Sequence, residues 1–327
     1  MPTQINTLQI TSRSPCKRYW EYGSALISAL FIMTLVAIAA TAMSSRLQLD
    51  IYRTRLTIQS DKHYLASEAI TFWAMSELSD PKKHFTKSNL QGQVLEFPKQ
   101  FQSISPDLLS QGALYDLQGR FNLNNLNDKK YYPVFLKLLE NILPNMNVQE
   151  RESIASATRQ WISPYLPGRG NDELVRYYLQ QKPPYYPSQQ PMQNMSEFRL
   201  IRGVTAKIYQ SLSDYITVLP EKTAINLNTA PKKLIMSLGN GLTEYQANEI
   251  IQARGKNGIV NKKDMTDLLQ KLNLREEQIT LESQYFMSMA IIKNEDLTLV
   301  NYSIIHRNKD KNGKISISLV NVSLNSQ

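Results

Sequence analysis

Cysteine is nearly missing from this sequence: its 327 residues hold one, Cys16. If the segment ahead of residue 24 is removed, the mature chain has none. Disulfides, thiolate metal sites and cysteine nucleophiles are then excluded together. Histidine is almost as scarce. His63, His84 and His306 stand far apart and form no HExxH or other metal-ligand spacing. There is no nucleophile elbow and no phosphate-binding glycine loop. Gly239-Asn240-Gly241 lacks the third glycine and the preceding strand that a dinucleotide site needs. The paired acids Asp172-Glu173 and Glu276-Glu277 read as solvated helix surface rather than acid–base machinery. The residues make no positive case for an enzyme.

What is present is ordinary in bulk and unusual in arrangement. Hydrophobic residues make up 42% and charged residues 20%, which points neither to disorder nor to a polytopic membrane protein. The length suggests a main domain carrying a second one. The formal charge is +9, and the stretch before residue 24 contributes three cations, Arg13, Lys17 and Arg18, against Glu21. The remaining surplus is spread along the chain, so it supports solubility or an acidic partner more than a nucleic-acid stripe.

Residues 24–43 read SALISALFIMTLVAIAATAM without one charge. Twenty helical residues span roughly 30 Å, the thickness of a bilayer's hydrocarbon core. Lys17 and Arg18 precede the run, while Arg46, Arg53, Arg55 and Asp50 follow it, so flanking charge orients it only weakly. Three readings compete. Ala40-Thr41-Ala42 has the small-x-small form of a secretory cleavage site. A plain signal anchor is the second. The third is a type IV pilin-like signal, cut between Gly23 and Ser24 so that the apolar helix stays on the mature protein. Two features favour the third. Gly23 directly abuts the apolar run, and the helical pattern continues beyond it through Leu56, Ile58, Leu65, Ala66, Ala69, Ile70, Trp73 and Leu78. No proline or glycine interrupts residues 24–79, and Asp80-Pro81 ends the run, giving one helix of about 56 residues and near 84 Å.

Strand-like alternation follows at residues 93–97 and 112–117, then an asparagine-rich turn. Helical periodicity returns at 133–142, 149–162, 196–202 and 205–216, interrupted by a proline-rich connection from Pro164 to Pro191. Residues 285–293, 297–306 and 314–324 alternate as strands, with a hairpin turn at Asn308-Lys309-Asp310-Lys311-Asn312-Gly313. The order implies a helical domain inserted into a small αβ domain. Within it, residues 224–265 read as a helix-hairpin-helix: Thr229 as cap, Pro231 in the first turn, a helix to Leu238, a Gly239–Gly241 turn and a helix to Arg254. Such units can present backbone amides to phosphate, and Lys232, Lys233, Arg254 and Lys256 supply charge. A membrane-tethered, competence-like DNA-binding protein is therefore the alternative function. A unit that merely packs and contacts protein is the plainer reading.

With these residues in view, the chain resembles the K-class minor pseudopilin of type II secretion systems. The matching stretches are Gly23-Ser24-Ala25-Leu26 and the apolar helix, Arg46-Leu47-Gln48-Leu49-Asp50, and Tyr64-Leu65-Ala66-Ser67-Glu68-Ala69. Residues 116–126, Lys182-Pro183-Pro184-Tyr185, Met195-Ser196-Glu197-Phe198-Arg199-Leu200-Ile201-Arg202-Gly203 and Asn226-Leu227-Asn228-Thr229-Ala230-Pro231 complete the set, in order. The resemblance implies an α+β fold: a type IV pilin-like long N-terminal helix and small antiparallel sheet, with a large inserted all-α domain containing the helix-hairpin-helix-like unit.

Its expected divisions are a leader at 1–23, a transmembrane helix at 24–43 and a periplasmic continuation at 44–80. The αβ domain at 81–121 is completed by strands at 284–327, around an insert at 122–283. It implies cleavage after Gly23 by prepilin peptidase, methylation of Ser24, and a single-pass protein of a Gram-negative inner membrane with its C-terminal domain in the periplasm. The expected partners are the I- and J-class minor pseudopilins at the pseudopilus tip, the major pseudopilin and the inner-membrane secretion platform.

Pilin subunits usually carry glutamate five residues into the mature chain, pairing with the terminal amine of the subunit above. Here that position is Ser28, which fits a subunit with nothing above it, because an unpaired carboxylate in hydrocarbon is costly. Calcium is the one cofactor the resemblance raises, since some relatives bind it through acids that follow a Trp-Leu/Ile-Asp motif. Here the stretch is Trp161-Ile162-Ser163-Pro164, the acid is absent, and Asp172 and Glu173 alone make a poor cage.

Overall fold

The computed structural model describes residues 21–89, 91–101, 107–165, 172–255, 257–260, 262–310 and 312–325, with backbone alone at 21–23, 262, 264 and 265. The chain divides into two compact units, Met1–Ser60 and Asp61–Gln327. Helix α1 (Glu21–Ser79) is followed by strands β1 (Gln93–Glu96), β2 (Leu109–Asp116) and β3 (Phe121–Asn122). Then come helices α2 (Tyr132–Ile142), α3 (Val148–Ile162), α4 (Asp172–Leu179) and α5 (Ala206–Leu212), and strands β4 (Ile216–Thr217) and β5 (Ile225–Asn226). After α6 (Lys232–Ile235), α7 (Glu244–Arg254), α8 (Lys262–Lys271) and β6 (Ile279–Thr280), the described chain closes with β7 (Tyr285–Lys293), β8 (Thr298–Lys309) and β9 (Ile315–Leu324).

In the second unit, β1-β2-β7-β8-β9 form one antiparallel sheet, its strands drawn from both sides of the helical block. Period-two alternation aims Leu114, Phe286, Ala290, Ile292 and Ile305 at one face, where they meet Ile70, Ala74 and Leu78 of α1. Gly112 permits the close approach, because a Cβ there would fall 2.5 Å from Ile70 Cγ2. A polar seam runs beside this core. Asn301 Nδ2 donates to Ser67 Oγ (2.9 Å), and the Thr71 and Ser303 hydroxyls lie 3.2 Å apart.

The helix ends where Asp80-Pro81 cannot continue it. Arg307 binds the helix end and the turn after it: Nε donates to Leu78 O (2.8 Å), and Nη2 to Asp80 O (3.1 Å) and Lys83 O (3.0 Å). A cation there also complements the negative end of the helix dipole.

The inserted block differs from an all-α domain in one respect. Two short parallel pairs, β3 with β4 and β5 with β6, bracket its helices. Each pair opens a module with the same asparagine device. Asn122 Oδ1 accepts from Asn124 N, and Asn226 Oδ1 accepts from Asn228 N. Asn124 then binds both peptide groups of Met192, accepting at 2.9 Å and donating at 3.0 Å, and reaches Leu219 O (2.8 Å). Asn228 does the same to Ile259 (2.7 and 3.0 Å) and reaches Leu281 O (3.0 Å). An asparagine amide carries a donor and an acceptor, so it substitutes for the missing partner of a buried peptide where no strand can run.

The sheet and the block meet at Asp116, the last residue of β2, which is fully buried. Its carboxylate accepts from Gln118 N (2.8 Å), Gly119 N (3.4 Å), Asn226 Nδ2 (2.9 Å), Thr229 Oγ1 (2.5 Å) and Ser283 Oγ (2.7 Å). Thr229 therefore does not cap the following helix, as its sequence position had implied. Helix α6 begins after Pro231 without a side-chain cap, and it ends at Ile235 rather than running regularly to Leu238. The stronger acceptor, a buried carboxylate, takes the threonine hydroxyl.

Candidate functional site

Residues 24–55 of α1 are all exposed, and α1 is long and apolar enough to cross a membrane by length and composition. Three hydroxyls in the apolar run bond back to the helix's own carbonyls. Ser28 Oγ donates to Ser24 O (2.8 Å), Thr34 to Phe31 O (2.8 Å), and Thr41 to Ala37 O (3.0 Å) and Ile38 O (2.9 Å). In hydrocarbon such bonds matter because water cannot replace them. Gly23 lies within α1, described by its backbone alone, and Ser24 follows it in the helix. The leader residues 1–20, with Cys16, lie outside the described residues.

In the second unit, residues 61–79 of α1 present His63, Ser67, Ile70, Thr71, Ala74 and Leu78 as the buried face. Leu65 and Phe72 point the other way and are 63% and 64% exposed. They stand seven residues apart, so they share one stripe of the helix. The sequence pattern counted Leu65 with the apolar helix without separating it from the buried set. The signal that separates them is the i, i+4, i+7 spacing of the buried residues, which leaves positions 65 and 72 on the opposite side.

The helix-hairpin-helix-like unit offers phosphate little. Two of its turn amides are engaged internally, Gly241 N donating to Leu238 O (3.0 Å) and Leu242 N to Met236 O (2.8 Å). Lys232 Nζ pairs with Glu244. Arg254, proposed from the sequence as a surface cation, turns inward: Nη2 donates to Ala230 O at 2.6 Å, and burial lowers its pKa to about 10. Lys233 lies in α6, Gly239 holds φ +62° against Leu274, and Lys256 lies outside the described residues.

The calcium candidates each have a protein neighbour. Asp172 Oδ1 accepts from Tyr165 Oη (2.7 Å), and Glu173 lies 3.7 Å from Arg202. Among the described residues no three His, Cys, Asp or Glu side chains converge. Ser163 Oγ, just after Trp161-Ile162, donates to Arg159 O (2.7 Å) and Asn127 Oδ1 (3.2 Å). The scattered histidines have separate surroundings: His84 pairs with Glu282 (2.9 Å), His306 stacks on Tyr285, and His63 is buried in α1.

Comparison with known proteins places this geometry. Family models described as type II secretion system (T2SS), protein K, match residues 119–221 and 225–283. The chain is 28% identical to the type II secretion system protein K of Aeromonas hydrophila over 90% of its own length and 95% of that protein. It is 25% identical to the protein of the same name from Pseudomonas aeruginosa, over 92% of each. A crystal structure of the GspK-GspI-GspJ complex from the enterotoxigenic Escherichia coli type 2 secretion system shares the fold. One of its chains matches with a TM-score of 0.66 at 21% identity, covering 84% of this chain and all of that one.

The chain belongs to the type II secretion system protein K family. It has the K-class pseudopilin fold, with a long N-terminal helix, an antiparallel sheet and a helical domain. The two stretches matched by the protein K models each hold one Asn-Leu-Asn clamp, at residues 122–124 and 226–228. The resemblance in residues 116–126 and 226–231 thus has a physical basis. The two segments lie against each other, Asn226 N donating to Gln118 O (2.8 Å), and both bind Asp116. The sequence signal for that pairing is the recurrence of Asn-Leu-Asn after an apolar residue.

Proposed function

We propose that this chain is the non-catalytic tip subunit of a periplasmic pseudopilus. Prepilin peptidase cleaves it after Gly23, the new Ser24 terminus is methylated, and residues 24–43 hold it once through the inner membrane. It joins the I- and J-class minor pseudopilins and starts assembly of the filament that exports folded proteins. The insert extends over residues 122–283, with the pilin-like domain at 81–121 and 284–327 and the helix continuing through 44–80.

The observation that carries this reading is Ser28. Its hydroxyl closes onto Ser24 O within the same helix, so the position asks nothing of a subunit above it. A glutamate there would need a cation in the hydrocarbon. The exposed pair Leu65 and Phe72 supports a lateral contact with the neighbouring minor pseudopilins, since apolar side chains on a helix flank favour burial against another helix.

Ser28→Glu tests the reading. An unpaired carboxylate at that depth costs about 3 kcal/mol, on the order of a hundredfold in tip occupancy. The variant should be present in the membrane but fail to co-purify with the I and J subunits, and secretion should fall; Ser28→Ala should behave as wild type. Full secretion by Ser28→Glu would remove the basis of the tip assignment.

A further inference from the structure

The sequence contains three Asn-Gly pairs, Asn240-Gly241, Asn257-Gly258 and Asn312-Gly313. Glycine after asparagine leaves the backbone amide free of side-chain hindrance, so its nitrogen can attack the asparagine side-chain carbonyl. The attack requires that this N–H be free to lose its proton. In two of the pairs it is held: Gly241 N donates to Leu238 O and Gly313 N to Asp310 O, each at 3.0 Å. Among the described residues, Gly258 N has no acceptor, and the exposed Asn257 side chain has no hydrogen-bond partner. The Asn257 carbonyl, which belongs to the same peptide as Gly258 N, accepts a hydrogen bond from Thr86 Oγ1 at 2.7 Å. A donor on that oxygen withdraws electron density from the peptide and makes its N–H more acidic.

We infer that Asn257 is a site of spontaneous covalent modification, converted through a succinimide to aspartate and isoaspartate. Gly258 N forms a bond to Asn257 Cγ, the Cγ–Nδ2 bond breaks, and ammonia leaves with the proton from Gly258 N. Water then opens the ring at either carbonyl. Opening toward isoaspartate adds a methylene to the main chain at a place with no slack. Gly258 has φ +76°, and a Cβ there would fall 2.4 Å from Thr86 Cβ. The next residue, Ile259, is gripped through both peptide groups by Asn228. The lengthened chain cannot keep both the Thr86 bond and the Asn228 grip. The modification therefore loosens the tie between the segment after α1 and the second helical module.

The test is ageing of the full-length protein in detergent at mildly alkaline pH, followed by proteolysis, mass spectrometry and isoaspartyl-methyltransferase labelling at the three asparagines. Asn257 should convert about fivefold or more faster than Asn240 and Asn312, and in urea the three rates should converge as the protecting hydrogen bonds are lost. Conversion of Asn257 no faster than that of the other two in the folded protein would overturn the assignment.

Discussion

Replacing Asp116 with asparagine should destabilise the second unit more than any single surface change. The carboxylate accepts five hydrogen bonds from three separate stretches of chain: residues 118–119, residues 226–229 and Ser283. Burial pushes its pKa up, while the bonds from Thr229, Ser283, Gln118 N and Asn226 pull it back. An asparagine at 116 turns one acceptor oxygen into a donor that faces other donors. With the amide at the Oδ2 position, Gln118 N and Gly119 N keep the remaining oxygen and Asn226 Nδ2 keeps Ser283 Oγ (2.8 Å), so about two donors, the Thr229 and Ser283 hydroxyls, lose their acceptor. At roughly 1–2 kcal/mol each, the loss is about 2–4 kcal/mol, less what is recovered by no longer burying a charge. With a urea slope of about 3 kcal/mol/M, the midpoint should move down by about 1 M, followed by fluorescence of the buried Trp161. Thr229→Val, which removes one donor only, should cost about 1–2 kcal/mol. If Asp116→Asn unfolds within about 0.5 kcal/mol of wild type, the junction is not held by this carboxylate.

The two asparagine clamps should be separable. Asn124→Ala should lose about 2–4 kcal/mol and expose amides near residues 192 and 219 to hydrogen exchange, whereas Asn228→Ala should do so near 259 and 281. Arg307→Leu leaves the carbonyls of Leu78, Asp80 and Lys83 without their donor, so thermal unfolding should show a loss of about 2–3 kcal/mol. Calcium in millimolar excess should leave the Tm unchanged and give no calorimetric heat, because among the described residues no third acid joins Asp172 and Glu173.

Long periodic elements were legible in the sequence, and short paired ones were not. The apolar run and its continuation mark α1, and alternation marks β7, β8 and β9, because each side chain there reports one face over many residues. Two-residue strands such as β3 and β5 have no period to read, and their partners β4 and β6 are far away in sequence. Local chemistry also misleads where tertiary contacts compete. Thr229 looks like a cap until a buried carboxylate is nearby, and Arg254 looks like a phosphate ligand until its exposure is known. Of the candidate site, Ser28 could be identified by position alone, whereas the free stripe of Leu65 and Phe72 required knowing which flank the sheet covers.

A pseudopilin role requires α1 to remain attached to the mature protein after cleavage beside Gly23. Mass spectrometry of the intact protein isolated from membranes tests this most directly. The N-terminal residue should be Ser24, carrying a methyl group. A terminus at Met43, after Ala40-Thr41-Ala42, would show that an ordinary signal peptide had been removed and would contradict the account.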